Sequence, residues 1–283
     1  MQVYTLQAFA KNSKGGNPAG VVLVADSLTD AEMQRIAHQV GMSETAFVSS
    51  SKVADYKVRF FTPMKEVDLC GHATIATFYL MRFINIIKKG TYTQETKAGV
   101  LRIDVDMYSV AMEQPSPIFA ETIDKKAIAK SLNIAESEIR DDLPIQIVST
   151  GLRDILVPIK TLEGLQAIKP NFDKVRKLSE KYNTAGYHLF TLETLKAEAT
   201  AHCRNLAPLL GVNEEAATGS ASGALGCYLL HHGVIPSPSK LRFEQGHCMN
   251  APSEILVEVK QDEQGKISVM VGGIAENVEV IHL

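Results

Sequence analysis

The chain writes one pattern twice, and that repetition limits its possible folds more than any other feature. The first copy runs Arg59-Phe60-Phe61-Thr62-Pro63, then Asp68-Leu69-Cys70-Gly71-His72-Ala73-Thr74-Ile75-Ala76-Thr77. The second runs Arg204-Asn205-Leu206-Ala207-Pro208, then Thr218-Gly219-Ser220-Ala221-Ser222-Gly223-Ala224-Leu225. Aligning Arg with Arg sets Cys70-Gly71-His72-Ala73 opposite Thr218-Gly219-Ser220-Ala221, with three extra residues in the second loop. Ala73, Ala76, Thr77, Leu80, Met81 and Ile84 have the spacing of a helix with one buried face, and Ala221, Ala224, Leu225, Tyr228 and Leu229 repeat it. Gly233 supplies a stop for the second helix. Two unrelated Arg-x-x-x-Pro coincidences would also produce the pattern. The preferred reading is a duplicated module: two halves, each with a strand ending, a loop and a helix N-terminus aimed into one cleft. Free N–H groups and the helix dipole at such an end favour an anion.

Length and composition leave this reading room. A chain of 283 residues allows one large domain or two ordinary ones, and 45% hydrophobic with 22% charged residues is a soluble globular composition. A net charge of -3 and a pI near 6.3 give no electrostatic reason to expect nucleic acid or an anionic membrane. Four cysteines without CxxC spacing read as reduced thiols, so a cytoplasmic setting is expected. The opening Met1–Ala10 has no basic region and reads as a strand, which argues against a signal peptide. Arg82 and Asn85 interrupt the longest apolar stretch, so no membrane span is expected.

Strands are expected at Val3–Phe9, Val21–Val24, Ser43–Val48, Tyr56–Phe61, Thr91–Glu95, Leu101–Val105 and Val110–Met112. Gly15-Gly16-Asn17-Pro18-Ala19-Gly20 lacks GxGxxG and a following Lys-Ser/Thr, so it reads as a turn, not a phosphate cradle. Thr29-x-x-Glu32 is a capping box for a helix carrying Met33, Ile36, Ala37 and Val40 on one face and closed by Gly41. Pro115 and Pro117 mark the crossing between a half over residues 1–117 and a half over 118–283. The last strand is left free to pack back on the first half. In the second half, helices are expected at Lys125–Leu132 and Phe172–Tyr182. Strands are expected there at Ile145–Ser149, Ile155–Ile159, Tyr187–Leu192 and Ala199–Arg204. Leu241–Gln245, Ile255–Lys260, Ile267–Val271 and Val278–Ile281 then form an antiparallel run, with a turn at Gln261–Gly265. Strands mixed with few long helices define an α+β fold.

Glu44 is the acid–base candidate: it opens a strand beside Ala46, Phe47 and Val48, where burial would raise its pKa from about 4.3 toward neutrality. A solvent-facing strand-edge Glu is the bland alternative. His72, at a helix N-terminus, is expected to be neutral, either holding a substrate or packing as a cap. Cys70 at the same end would have a lowered thiol pKa, or be a small buried thiol. Glu214 and Glu215 complement the second helix dipole, and a carboxyl there could also hold a substrate amine or share a proton. Ser220, with Gly219, offers a hydroxyl and amides for a carboxylate, or is an ordinary cap. Metal spacing is absent: His202-Cys203 and His247-Cys248 are adjacent pairs, which in a strand point to opposite faces. Ser237-Pro238-Ser239-Lys240 matches SxxK without the helix that motif requires.

Several stretches together resemble the PhzF family of phenazine-biosynthesis-like isomerases, which share the diaminopimelate epimerase fold. They are Gly16-Asn17-Pro18-Ala19-Gly20-Val21-Val22, Ser43-Glu44-Thr45-Ala46-Phe47, Cys70-Gly71-His72-Ala73-Thr74, Ala217-Thr218-Gly219-Ser220-Ala221, Gln245-Gly246 and Gly272-Gly273-Ile274-Ala275. The resemblance implies two pseudo-symmetric α+β halves, each a mixed barrel-like sheet around a central helix, with the active site between them. It also implies a homodimer and no metal or organic cofactor. By resemblance Glu44 is the general acid/base, His72 and Ser220 are active-site residues, and Glu215 stands where the family usually has Asp. Cys70, Gly71, Ala73, Thr218, Gly219, Ala221, Gln245 and Gly246 are the implied substrate-binding positions. Two departures are local: Glu215-Ala216 replaces Asp-Pro, and Asn250-Ala251-Pro252-Ser253 replaces Gly-Arg-Pro-Ser, without the Arg.

Two-base racemases of this fold place a cysteine at each helix N-terminus, where this chain has Cys70 and Thr218. A threonine cannot serve as the second base near pH 7 without strong activation. The expected activity is therefore a cofactor-independent isomerase in which Glu44 shifts a proton within a small carboxylated, cyclic or unsaturated metabolite. A non-catalytic metabolite-binding protein on the same fold and an amino-acid epimerase using Cys70 are the alternatives.

Overall fold

In the computed structural model, which describes all 283 residues, the chain forms two units: residues 1–113 with 272–283, and residues 114–271. The first begins with β1 (Gln2–Ala8) and β2 (Asn17–Val22), antiparallel from Tyr4 opposite Val21 to Ala8 opposite Asn17. The Gly15–Gly20 segment expected as a turn is therefore mostly strand. The reversal lies earlier, where Lys11 bridges Lys14 and Asn12 and Ser13 take positive φ. Gly16 ends the connection at φ +75, and a Cβ there would meet the Ala8 carbonyl oxygen at 2.5 Å.

Helix α1 (Asp30–Val40) starts as the capping box requires: Glu32 N–H donates to Thr29 Oγ1, and Thr29 N–H donates to Glu32 Oε2. Gly41 closes it in the left-handed conformation, its N–H donating to Ala37 O. Replacing Thr29 with Ala should cost about 1 kcal/mol in urea unfolding with the m-value unchanged.

Strands β3 (Glu44–Ser49), β4 (Tyr56–Phe61) and the two-residue β5 (Glu66–Val67) lead into α2 (Gly71–Phe83). A meander of β6 (Gly90–Thr96), β7 (Gly99–Val105) and β8 (Val110–Gln114) follows. The sheet is mixed, with β2–β3 and β4–β6 parallel, and the chain's closing strand Ala275–His282 pairs antiparallel with β1. One face packs on α1 through Val3, Val22, Phe47 and Phe61, with the two phenylalanine rings meeting edge to face at 5.4 Å. Helix α2 contacts β1, β2, β3, β7 and the closing strand.

The second unit contains β9 (Ile118–Thr122), α3 (Lys125–Leu132), β10 (Gln146–Ser149) and β11 (Arg153–Pro158). Next come α4 (Leu162–Ala167), α5 (Phe172–Lys181), β12 (Gly186–Thr191), β13 (Ala201–Ala207) and β14 (Val212–Glu215). Helix α6 (Gly219–His231) is followed by β15 (Ser239–Gln245), β16 (Ser253–Gln261) and β17 (Ile267–Gly273). Its sheet is mixed in the same places, with β11–β12 and β13–β15 parallel. The α3 and α5 side buries Ile128, Leu132 and Val175 against Ile147, Ile155, Val157 and Leu189. On the other side α6 contacts β10, β11 and β16.

The two pattern-bearing helices differ from expectation in one respect. Instead of one buried face, α2 buries Ala73 through Phe78 without a break, and α6 buries Ala221 through Leu229. A helix apolar on all sides is one enclosed by its sheet. Small residues permit it: a Cβ at Gly223 would stand 2.1 Å from Gln114 Oε1, and one at Gly226 2.8 Å from Val257. The short β5, β9, β14 and α4 carry too few residues for a periodic signal.

Candidate active site

Both arginines of the repeated pattern make the same structure. Arg59 on β4 donates from Nε and Nη2 to Glu66 Oε1 and Oε2 at 2.7 and 2.9 Å. Arg204 on β13 donates in the same way to Glu214 at 2.9 and 2.9 Å. Glu66 and Glu214 lie on the short strands β5 and β14, and each stands five positions before the first helical residue, Gly71 or Gly219. A planar guanidinium gripping both carboxylate oxygens fixes direction as well as distance, so each fork sets how the chain runs into its helix. The three-residue offset between the copies falls between Arg and Glu, and the units are in register again from there on.

The residues before the two helices have matching backbone angles, φ -138 and ψ 116 at Cys70 and φ -134 and ψ 101 at Thr218. Neither of these N-cap side chains accepts a hydrogen bond from its helix. Arg204 is 5% exposed and also donates to the carbonyls of Leu165 and Ile168 at 3.0 and 2.8 Å. Arg204→Met should destabilise by about 3–5 kcal/mol in denaturant melts, because Glu214 keeps its charge with no partner.

In the first unit the fork delivers Cys70 and His72 to the start of β3. His72 Nε2 is 3.1 Å from Glu44 Oε2 and 3.1 Å from Ser43 Oγ, which donates to Pro18 O. On the other ring edge, Nδ1 is 3.4 Å from Cys70 Sγ. Cys70 is buried, and its carbonyl accepts from Thr74 Oγ1, which itself accepts from Gln94 Nε2 at 3.1 Å. Gly71 opens the helix, and Ala73 is wholly buried behind it.

Two electrostatic expectations are reversed here. Burial does work to raise the Glu44 pKa, but contacts with His72, Ser43 and Cys70 outweigh it, and the carboxyl titrates below its ordinary range. Burial likewise opposes charge on His72. The neighbouring Cys70 sulfur and Glu44 carboxylate overcome that and hold the imidazole well above 6.5, so near neutral pH it is protonated. The helix N-terminus, expected to keep the ring neutral, is the weaker influence against two polar groups in contact. The result is a carboxylate beside an imidazolium, partly screened from water.

In the second unit Thr218 Oγ1 donates to Glu215 Oε2 at 2.6 Å. Gln245 is fully buried, accepts from Thr218 N–H at 3.2 Å and donates to Glu215 O and Thr218 Oγ1 at 2.8 and 3.1 Å. Gly246 follows at φ +80, where a Cβ would meet Ala251 O at 2.2 Å. Gly219 and Ser220 begin α6, Ala221 is wholly buried, and the Ser220 carbonyl accepts from Thr150 Oγ1 at 3.1 Å. The Thr218 hydroxyl, at the position matching Cys70, is thus spent on Glu215.

Register shows what became of Glu44's counterpart. Phe47 lies opposite Arg59, as Leu189 lies opposite Arg204, so Glu44 corresponds to Gly186, which has no side chain. The nearest carboxyl is one strand over, on Asp154, the partner of Gly186 as Ala19 is of Glu44. Asp154 is 2% exposed. Burial, reinforced by the charge of Glu215, pushes its pKa up to about 7. Ser43 and Asp154 were not selected from sequence. Ser43 could have been, as the neighbour of Glu44; Asp154 shows only as a charged residue at the start of an apolar strand.

His202 and His247, read from sequence as members of separate pairs, come together, with rings 4.8 Å apart and His202 Nδ1 2.9 Å from Glu244 Oε2.

Duplicated helix N-termini on paired mixed sheets, with an acid–imidazole pair at one of them, define the class. The chain belongs to the PhzC-PhzF family, described as phenazine biosynthesis-like protein, whose profile matches residues 6–280, and it is an enzyme of the isomerase class. It is 39% identical to an uncharacterized isomerase of Clostridium acetobutylicum, with 96% of this chain and 94% of that one covered. It is 29% identical to the trans-2,3-dihydro-3-hydroxyanthranilate isomerase of Pseudomonas chlororaphis, with 95% of each chain covered. Among solved structures, the PhzF-family phenazine biosynthesis protein of Bacillus anthracis superposes with a TM-score of 0.90 at 35% identity, covering 100% of this chain and 99% of that one. A probable proline racemase of Agrobacterium radiobacter shares the fold alone, at TM-score 0.65 and 12% identity over 100% of this chain and 92% of that one. No helix is long and apolar enough to cross a membrane.

Proposed function

We propose that the chain shifts a proton between two carbons of a small carboxylated, cyclic or unsaturated metabolite, with Glu44 as the single carrier. The observation that carries this reading is the contrast between the two copies of the module. One has a carboxylate 3.1 Å from an imidazolium; the other has Gly186 in place of Glu44 and a Thr218 already bonded to Glu215. A two-base epimerase needs a free base in each copy, so the Cys70 alternative is disfavoured.

In this reading the ionised Glu44 takes a proton from the carbon next to a conjugated system and returns it to another carbon on the same face. His72, as imidazolium, steadies the carboxylate and hydrogen-bonds the oxygen on which charge develops. The Gly71 amide, at the same helix N-terminus as His72, holds a carboxylate oxygen, and the family resemblance assigns Gly219, Ser220 and Glu215 to the substrate. The Pseudomonas relative's named substrate, a dihydro-hydroxyanthranilate, has the carboxyl, amine and unsaturation this arrangement suits, and heads the panel to be tried. Incubating the protein with that compound and related cyclic carboxylates in D2O, with product analysis by NMR, tests the proposal. Deuterium should enter at the carbon that gains the proton.

The reading also includes a cytoplasmic homodimer, supported by the family resemblance and by four cysteines that are all free. Sedimentation equilibrium should give twice the chain mass of 30.9 kDa.

A further inference from the structure

Glu44 Oε2 is buried and, although close to His72 Nε2, lies off the line of any hydrogen bond. The ion pair leaves that oxygen without an aligned donor. One ligand atom from each of Glu44, Cys70 and His72 converges there, all within 4.8 Å of one another. We infer that Glu44, Cys70 and His72 form a site for a thiophilic divalent cation, Zn2+, that occupies the place of substrate and blocks the enzyme.

The spacing suits atoms bonded directly to one metal ion. Zn–N, Zn–O and Zn–S bonds of about 2.0–2.3 Å in a tetrahedron leave ligand atoms roughly 3.3–3.6 Å apart. Here Nε2 stands 3.1 Å from Oε2 and 3.8 Å from Sγ, and the three donors lie within 4.8 Å of one another, so the side chains close in on the ion to complete the shell. One sulfur, one imidazole nitrogen and one carboxylate oxygen are a donor set for zinc or cobalt, and magnesium and calcium prefer oxygen alone. Three protein ligands leave a fourth position for water. Cys70 and His72 enter together from the N-terminus of α2, whose approach the Arg59–Glu66 fork sets, and Ser43 Oγ, now 3.1 Å from Nε2, turns away when that nitrogen takes the ion. On binding, the thiol and imidazolium protons pass to buffer, and nothing is oxidised or reduced.

Cation binding stands on geometry alone. That it silences the enzyme rests on Glu44 being the proton carrier.

The test uses the reduced full-length chain titrated with Co2+ alone. One equivalent should produce a thiolate-to-cobalt charge-transfer absorption, removed by Zn2+ and unaffected by Mg2+. Cys70→Ser should lose the band, His72→Ala should weaken Co2+ binding on the order of 100-fold or more, and Cys248→Ala, at an exposed thiol, should keep it. Circular dichroism checks that each variant is folded. No band in the wild type, or a band that survives in folded Cys70→Ser, overturns the site. Deuterium exchange should stop in Zn2+-loaded protein; exchange that continues overturns the blocking. A Glu44→Gln protein that still exchanges overturns the proton-carrier reading and leaves the result for the Co2+ band in the wild type unchanged.

Discussion

Glu44→Gln should reduce solvent-deuterium incorporation to background, a loss of about a hundred- to ten-thousandfold. The substitution keeps shape and removes the ability to accept a proton. It should leave substrate affinity nearly intact, because the group proposed to hold the carboxylate is a backbone amide at a helix N-terminus. The second copy of the module does not repeat the carboxyl at the position of Glu44. Gly186 has no side chain, and the Thr218 hydroxyl is committed at 2.6 Å to Glu215. Isotope exchange read on tight-binding substrate, alongside calorimetric affinity, separates loss of chemistry from loss of binding. A variant that binds and still exchanges assigns the proton to another group.

Asp154→Asn should remove a large pH dependence of stability. The Asp154 carboxyl titrates near 3.8 in the unfolded chain and at about 7 in the fold, through burial and the Glu215 charge. Below the unfolded value both states are protonated, and the group adds no slope. Between roughly 4 and 7 the native state holds a proton the unfolded state has lost, so stability falls as pH rises, and above 7 the full cost is present. About three pKa units correspond to roughly 4 kcal/mol across that window. Urea melts at several pH values should therefore show the wild type losing stability between pH 4 and 8 relative to the variant. The slope is the quantity to compare, since an asparagine amide buried at this position brings its own hydrogen-bonding demand. Parallel curves would place Asp154 in contact with water or with a cation.

Most of the frame was legible because it rests on local signals. The capping box at Thr29 and Glu32 and the glycine stop at Gly41 predict α1 to the residue. Strand β4 and helix α3 run over the bounds expected for them, Tyr56–Phe61 and Lys125–Leu132. The duplicated pattern locates both helix N-termini, since each arginine grips a glutamate that stands five positions before its helix. What stayed hidden depends on contacts far apart in the chain. The first residues of β2, Asn17–Gly20, read as a turn because Gly and Pro dominate them, and only pairing with β1 and β3 makes them extended. The charge state of Glu44 reverses because His72 is its neighbour across 28 positions of sequence, a pairing that no local rule supplies, and His72 is raised first by Cys70 and then by Glu44. Asp154 gains its importance from burial alone, and an aspartate at a strand start gives no sign of that.

A single carboxylate that carries the proton along one face of the substrate fixes the stereochemistry of the shift. Substrate deuterated on a single face at the donor carbon, with NMR assignment of the product, reads that stereochemistry out. Removal and return on the same face, with part of the label carried across, is the predicted result. Delivery of hydrogen to the opposite face would show a second base at work and rule out Glu44 as the lone carrier.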